Sequence, residues 1–146
     1  MTGPHLPLTE EEKRRLKRAK VRMGDLHPLS EIQLATLLQV SDERARELKA
    51  LATFQRIPSI GPKMATTLVK ELHVFSLEEV KNQNPAHLFD RLEKNLGMRL
   101  DPCVEDQIRC VVNYANNPDS PLQWFDFTEE RKKYRSVHGY PIDRPK

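Results

Sequence analysis

The residues of this chain best suited to chemistry occupy nine consecutive positions, Ile57 to Ala65, reading IPSIGPKMA. Two prolines, a glycine and a lysine, with no acid among them, interrupt two stretches of helical apolar spacing. Pro62 fits the first position of a helix, where the amide it lacks would be unpaired anyway. Ala65, one turn on, lets the new helix pack close to the old one. A helix starting at Pro62 leaves the amides of Ile60, Gly61, Lys63 and Met64 without intrahelical acceptors. Such a start carries partial positive charge and receives phosphate readily. Lys63 adds a full charge beside it, and Lys70 lies two turns further along. Ser59 offers a hydroxyl donor, and Gly61 is read as the residue that takes backbone angles closed to others. Phosphate binding by main-chain amides is the chemistry this pattern predicts.

Charge elsewhere is uneven. The chain has 146 residues and a net charge of only +3, so the total does not announce a polyanion as partner. Residues 13–22, KRRLKRAKVR, nevertheless carry seven basic side chains and no acid. Lys13, Arg14, Arg15, Lys17, Arg18 and Lys20 form a candidate basic arm, and RKKYR at 131–135 adds a second run. Basic ends on a near-neutral body suggest an anionic partner touched at particular places. Arg44 and Arg46, in the middle of the chain, read as ordinary surface residues.

The other reactive side chains form no constellation. His5, His27, His73, His87 and His138 are scattered, and no spacing resembles a metal site. Cys103 and Cys110 sit on one expected helix about 10 Å apart along its axis, beyond disulfide reach. No paired carboxylates, Ser/His/Asp set or glycine-rich nucleotide loop is present, so no enzyme is expected. With no apolar signal core and no segment of membrane-spanning length, the expected setting is the cytoplasm, with both thiols reduced.

The elements that must position these residues are all helical. Thr9 with Glu12, Ser30 with Gln33 and Ser76 with Glu79 fit capping boxes. Ser41 precedes Asp42 and Glu43, acids suited to a first turn, and Asn84 and Asp101 each stand before a proline. Thr128 is placed at the start of a last helix that Gly139 closes. These signals predict helices near 10–22, 31–38, 42–55, 62–72, 77–82, 86–95, 102–116 and 129–137, with the tail extended on the body or free. Apolar stripes supply the core: Ala45, Leu48 and Ala52; Ala65, Leu68 and Leu72; Leu88, Leu92 and Leu96; Val104, Ile108, Val111 and Ala115. Leu16, Ala19 and Met23 are expected to seat the basic arm, and Trp124, Phe125 and Phe127 to cover one end of the core. LLQVSDERARELKA at 37–50 aligns without gaps on IPSIGPKMATTLVK at 57–70, a fainter copy of the same turn.

Residues Pro58, Ile60, Gly61, Pro62, Lys63 and Ala65 resemble the helix-hairpin-helix motif, whose first glycine is replaced here by Ser59. That resemblance implies backbone binding of DNA without base readout, and a monovalent cation at hairpin carbonyls near Ile57 and Ile60. The run MGDLHPLS, the hairpin, the segment 101–132 and the closing HGYPIDRPK resemble the bacterial pathogenicity-locus family, a label without an activity. The hairpin and following helices are also similar to the carboxy-terminal domain of TfoX-type competence regulators. Endonuclease III-type glycosylases place a catalytic lysine near Lys63. Their downstream aspartate falls on Lys81 here, and there are two cysteines, not the four of an iron–sulfur cluster. Lys63 therefore reads as a backbone anchor.

The resulting expectation is an all-α protein in three parts: a basic arm (1–29), a helix-hairpin-helix domain (30–127), and a carboxy-terminal helix with tail (128–146). The DNA-binding reading has double-stranded DNA as partner. In the alternative, the hairpin is only structural, and the body is an adaptor that docks on a protein or contacts RNA.

Overall fold

Short polar side chains set most of the helix starts. In the computed structural model, which describes residues 3–146, α1 spans Glu10–Ala19, α2 Glu31–Leu38, α3 Asp42–Phe54 and α4 Pro62–Lys70. α5 spans Leu77–Val80, α6 Pro85–Leu96, α7 Pro102–Asn116 and α8 Thr128–His138, with 3-10 turns at Met23–Asp25 and Trp124–Phe127. The described residues contain no strand, and no helix among them is long and apolar enough to cross a membrane.

Thr9 and Ser30 close both halves of their capping boxes. Ser41, Asn84 and Asp101 accept from first-turn amides of α3, α6 and α7. The Ser76 box forms differently. Ser76 accepts from the Glu79 amide, but the Glu79 carboxylate reaches back to the Phe75 amide and the Ser76 hydroxyl. Thr128, by contrast, is not a cap: it is the first residue of α8, and its hydroxyl donates to Asp106 at 2.9 Å.

Two apolar clusters share α3. Its Ala45, Leu48 and Ala52 pack with Leu16, Leu26, Leu34 and Leu38, which seats α1 and α2. Its Ala50, Leu51 and Phe54 join Ile57, Ile60, Ala65, Leu68, Phe89, Leu92, Ile108 and Val111. Ala65 is fully buried, as a close crossing of α3 and α4 requires. Val104 is only half-buried at the edge, and Leu96, at the end of α6, is exposed. Phe127 is buried and Trp124 packs beside it, whereas Phe125 stands out in solvent, edge-on to Trp124. Helix α1 stops at Ala19, because Lys20 turns left-handed (φ 59°) and the chain folds back. Ala19 and Met23 are consequently exposed, and α1 is anchored by Leu16 together with buried Glu12.

The carboxy-terminal segment is held by charge. Helix α8 buries no residue. Arg131 reaches Asp106 at 2.6 Å, and Arg135 reaches Asp90 and Glu105, each at 2.9 Å. Arg109 joins Glu105 to Glu130. The tail lies on the body: Arg144 meets buried Glu93 at 2.8 Å, and Tyr140 stacks between Arg135 and Arg144. Glu93, Glu105 and Asp106 are almost without solvent contact, and a buried carboxylate must have a cation. The basic run at 131–135 supplies it for Glu105 and Asp106, and Arg144 for Glu93. The arginines of that run face inward, so the anion-contacting surface expected there is reduced to Lys132, itself 3.7 Å from Glu129, and Lys133.

Candidate nucleic-acid interface

The turn between α3 and α4 is built from the α3 terminus outward. The Ile57 amide donates to the Phe54 carbonyl at 3.2 Å, and the Ile60 amide donates to the Ile57 carbonyl at 3.0 Å. Ile60 is therefore not one of the free donors, and the buried side chains of Ile60 and Met64 anchor the turn in the core. Gly61 caps α4 without any side-chain bond, Pro62 occupies the first helical position, and the first turn carries no acid. The first bond of the helix runs from the Ala65 amide to the Gly61 carbonyl at 3.1 Å. Among the described residues, the amides of Gly61, Lys63 and Met64 meet no acceptor.

The left-handed residue of this turn is Ser59 (φ 65°), not Gly61. Gly61 is extended (φ −100°, ψ −172°), as the residue before a proline tends to be. Side chains are not excluded by that backbone or by the protein around it, since a Cβ built on Gly61 meets nothing within 4 Å. The bare backbone at Gly61 faces open space in front of an uncapped helix.

Ser59 does not offer its hydroxyl outward. It accepts from the Trp124 amide at 2.8 Å and donates to the Pro58 carbonyl at 2.5 Å. The same carbonyl takes the thiol of Cys110 at 3.7 Å. Burial pushes that thiol up to about 11, and the partly buried Cys103 thiol is raised for the same reason first. Both cysteines are free, protonated packing groups.

The basic residues separate into committed and available ones. Lys70 is half-exposed and lies 2.6 Å from Glu47 across α3 and α4, so it has an acid partner where Lys63, among the described residues, has none. Lys63 is exposed and joins no ion pair among the described residues. On α1, Lys13 faces Glu10 and Arg14 faces Glu11 one turn away. Arg15 donates to the Leu38 carbonyl at 2.8 Å and lies near Glu11, tying α1 to α2. Lys17, Arg18 and Lys20 are exposed without an acid partner among the described residues. Arg44, expected at the surface, instead grips buried Glu12 at 2.9 and 3.1 Å and the Pro7 carbonyl. Arg46 remains exposed, over the ring of Phe75 at 4.0 Å.

A groove of about 790 Å³ opens beside the turn, between Ile57–Pro62 and the segment Gly3–His5. Arg56 and His27 line it. Arg56 stands alone in the sequence with no motif around it, and His27 reads there only as one of five scattered histidines. Among the described residues no group of three or more His, Cys, Asp or Glu is placed to hold a metal ion.

A mitomycin resistance protein, McrB of Streptomyces lavendulae, is 28% identical over 72 residues, which is 49% of this chain and 67% of that protein. No solved structure gives a significant match. The model of the pathogenicity locus family, Cdd1, matches residues 47–133, which span the end of α3, the turn, α4 and on into α8. The chain belongs to that pathogenicity locus family.

Proposed function

We propose that this protein is a cytoplasmic, non-enzymatic DNA-binding protein that grips the phosphate backbone of duplex DNA without reading bases. The turn acts as a helix-hairpin-helix seat: the amides of Gly61, Lys63 and Met64 receive a phosphate, Lys63 neutralises it, and Lys17, Arg18 and Lys20 meet another stretch of backbone. The observation carrying this reading is Gly61. A glycine that neither its backbone angles nor its neighbours require, at the open start of a helix, supports close approach of something from outside.

A monovalent cation fits the same turn. The Ile57 carbonyl has one lone pair left after accepting from Ile60, and the Ile60 carbonyl faces no donor among the described residues. Such a cation would offset phosphate charge beside those oxygens.

The protein–protein adaptor reading has one observation in its favour. Leu122 and Phe125, 42% and 53% exposed, stand near the turn as apolar surface. Fluorescence anisotropy on labelled duplexes of unrelated sequence, at two salt concentrations, separates the two. Backbone binding gives equal affinities that fall with salt, and Lys63→Ala weakens all of them alike with the melting temperature unchanged. If the parent ignores every duplex, or Lys63→Ala binds like the parent, the turn is a connector and the adaptor reading takes over.

A further inference from the structure

The groove at the turn has a neighbour. A second groove, of about 990 Å³, runs between α1 and the Val21–Asp25 segment, lined by Lys13, Lys17, Lys20 and Arg22. The two share one wall, made of Gly3, Pro4, His5 and Gly24. That wall is held in place. Gly3 lies backbone-on-backbone against Gly24, where an added Cβ would come within 3.3 Å of the Gly24 amide nitrogen. The His5 amide donates to the Gln55 side chain and the His5 carbonyl accepts from it, both at 2.9 Å. The amino-terminal segment is thus tied to the end of α3.

We infer that these grooves form one trough for a single sugar–phosphate strand, running from the start of α4 past Arg56 to Arg22 and the lysines of α1. This rests on the DNA-binding reading, and it adds Arg56 and Arg22 to the backbone contacts. Charge carries the argument. Among the trough's lining residues the only acid is Asp25, which sits 3.6 Å from Arg22 with both side chains exposed. Arg56 is exposed, and among the described residues its side chain has no partner. Burial first, and then Arg56 and Lys49, hold His27 below the usual histidine range. A cleft lined mainly by one sign of charge, with low-dielectric walls, focuses potential on a polyanion. Its length spans two grooves, which suits a strand of several phosphates better than one small anion.

The test is the salt dependence of binding to a fluorescein-labelled duplex of mixed sequence, for the parent, Lys63→Ala and the double variant Arg56→Ala/Arg22→Ala. All three replaced side chains are exposed, so thermal melts should coincide. The trough predicts that the double variant flattens the slope of log affinity against log salt by about 1.8, that is about 0.9 per lost contact. Shortening the duplex stepwise should abolish the Arg22 effect (read with Arg22→Ala alone) before the Lys63 effect. A parental slope in the double variant, with Lys63→Ala still weakened, overturns the trough and leaves the seat standing. Parental binding by all three proteins, or no binding by the parent, overturns both.

Discussion

The turn before α3 and the turn before α4 follow the same backbone recipe. Each puts the residue two before the helix cap in the left-handed region, Gln39 at φ 56° and Ser59 at φ 65°. Each then sets an apolar residue, Val40 or Ile60, and an extended cap, Ser41 or Gly61. The two stretches are the ones that align in sequence, so the faint repeat is a repeat of geometry. Their electrostatics are opposite. At α3 the Ser41 hydroxyl accepts from the Arg44 amide, Asp42 and Glu43 face the helix dipole, and the Arg44 side chain is drawn away to Glu12. At α4 the cap has no side chain, the first turn has no acid, and Lys63 is unpaired among the described residues. One helix start is closed by its own residues; the other keeps its first amides unpaired among the described residues. The same backbone path thus carries opposite electrostatics, and a few side chains make the difference.

The comparison breaks most visibly at the two cations. Arg44→Ala strands the carboxylate of Glu12, whose side chain is 4% exposed. The expected loss is about 2 kcal/mol, below the ~3–5 of a fully buried pair because Arg44 is itself 28% exposed. Lys63→Ala should shift stability by no more than about 0.5 kcal/mol. Urea denaturation of both variants checks this, and equal losses would end the distinction between a structural and a free cation.

Gly61→Asp sharpens it from the other side by turning the second start into a copy of the first. Its Cβ meets open space, and the carboxylate caps the free amides and faces the dipole. Stability should rise by a few tenths to about 1 kcal/mol. Duplex affinity should fall by about tenfold or more, about 1.4 kcal/mol, because the guest's place is taken. A more stable variant that binds DNA like the parent would rule out the phosphate seat. Ser41→Ala, the converse change, should cost about 1 kcal/mol and leave affinity alone.

Acid should act on the first turn. The hydrogen bond from Arg44 is the largest influence on Glu12. With the Thr9 amide it outweighs burial and holds the carboxyl below its usual value of 4.5. A carboxyl depressed in the folded state stabilises fully above its unfolded pKa, and that contribution is lost as pH falls through the lower folded one. Melting temperature should therefore drop below about pH 4.5, more steeply for the parent than for Arg44→Ala. The smallest effect is expected from Ser59→Gly. Relief of a left-handed serine and loss of its bond to the Trp124 amide offset one another. With the hydroxyl turned inward, affinity should stay within about twofold of the parent, a difference under ~0.5 kcal/mol.

By itself the sequence determined the helices and the break between α3 and α4. Thr9, Ser30, Ser41, Asn84 and Asp101 act on amides two or three residues away, so their effect is written where they stand. Gly61–Pro62 likewise marks the start of α4. Apart from local pairs such as Lys13–Glu10 and Arg14–Glu11, which charges remain available was decided by tertiary structure. Lys70 meets Glu47, Arg44 meets Glu12, and the Ser59 hydroxyl meets Trp124, partners 23, 32 and 65 residues distant. The basic run at 131–135 looks like a surface in sequence, yet its arginines are claimed by half-buried Asp90 and by Glu105 and Asp106, which α7 buries. Desolvated carboxylates bind whatever cations the fold brings near. Arg56 has no acid partner among the described residues, and Arg22 has only the exposed Asp25 beside it.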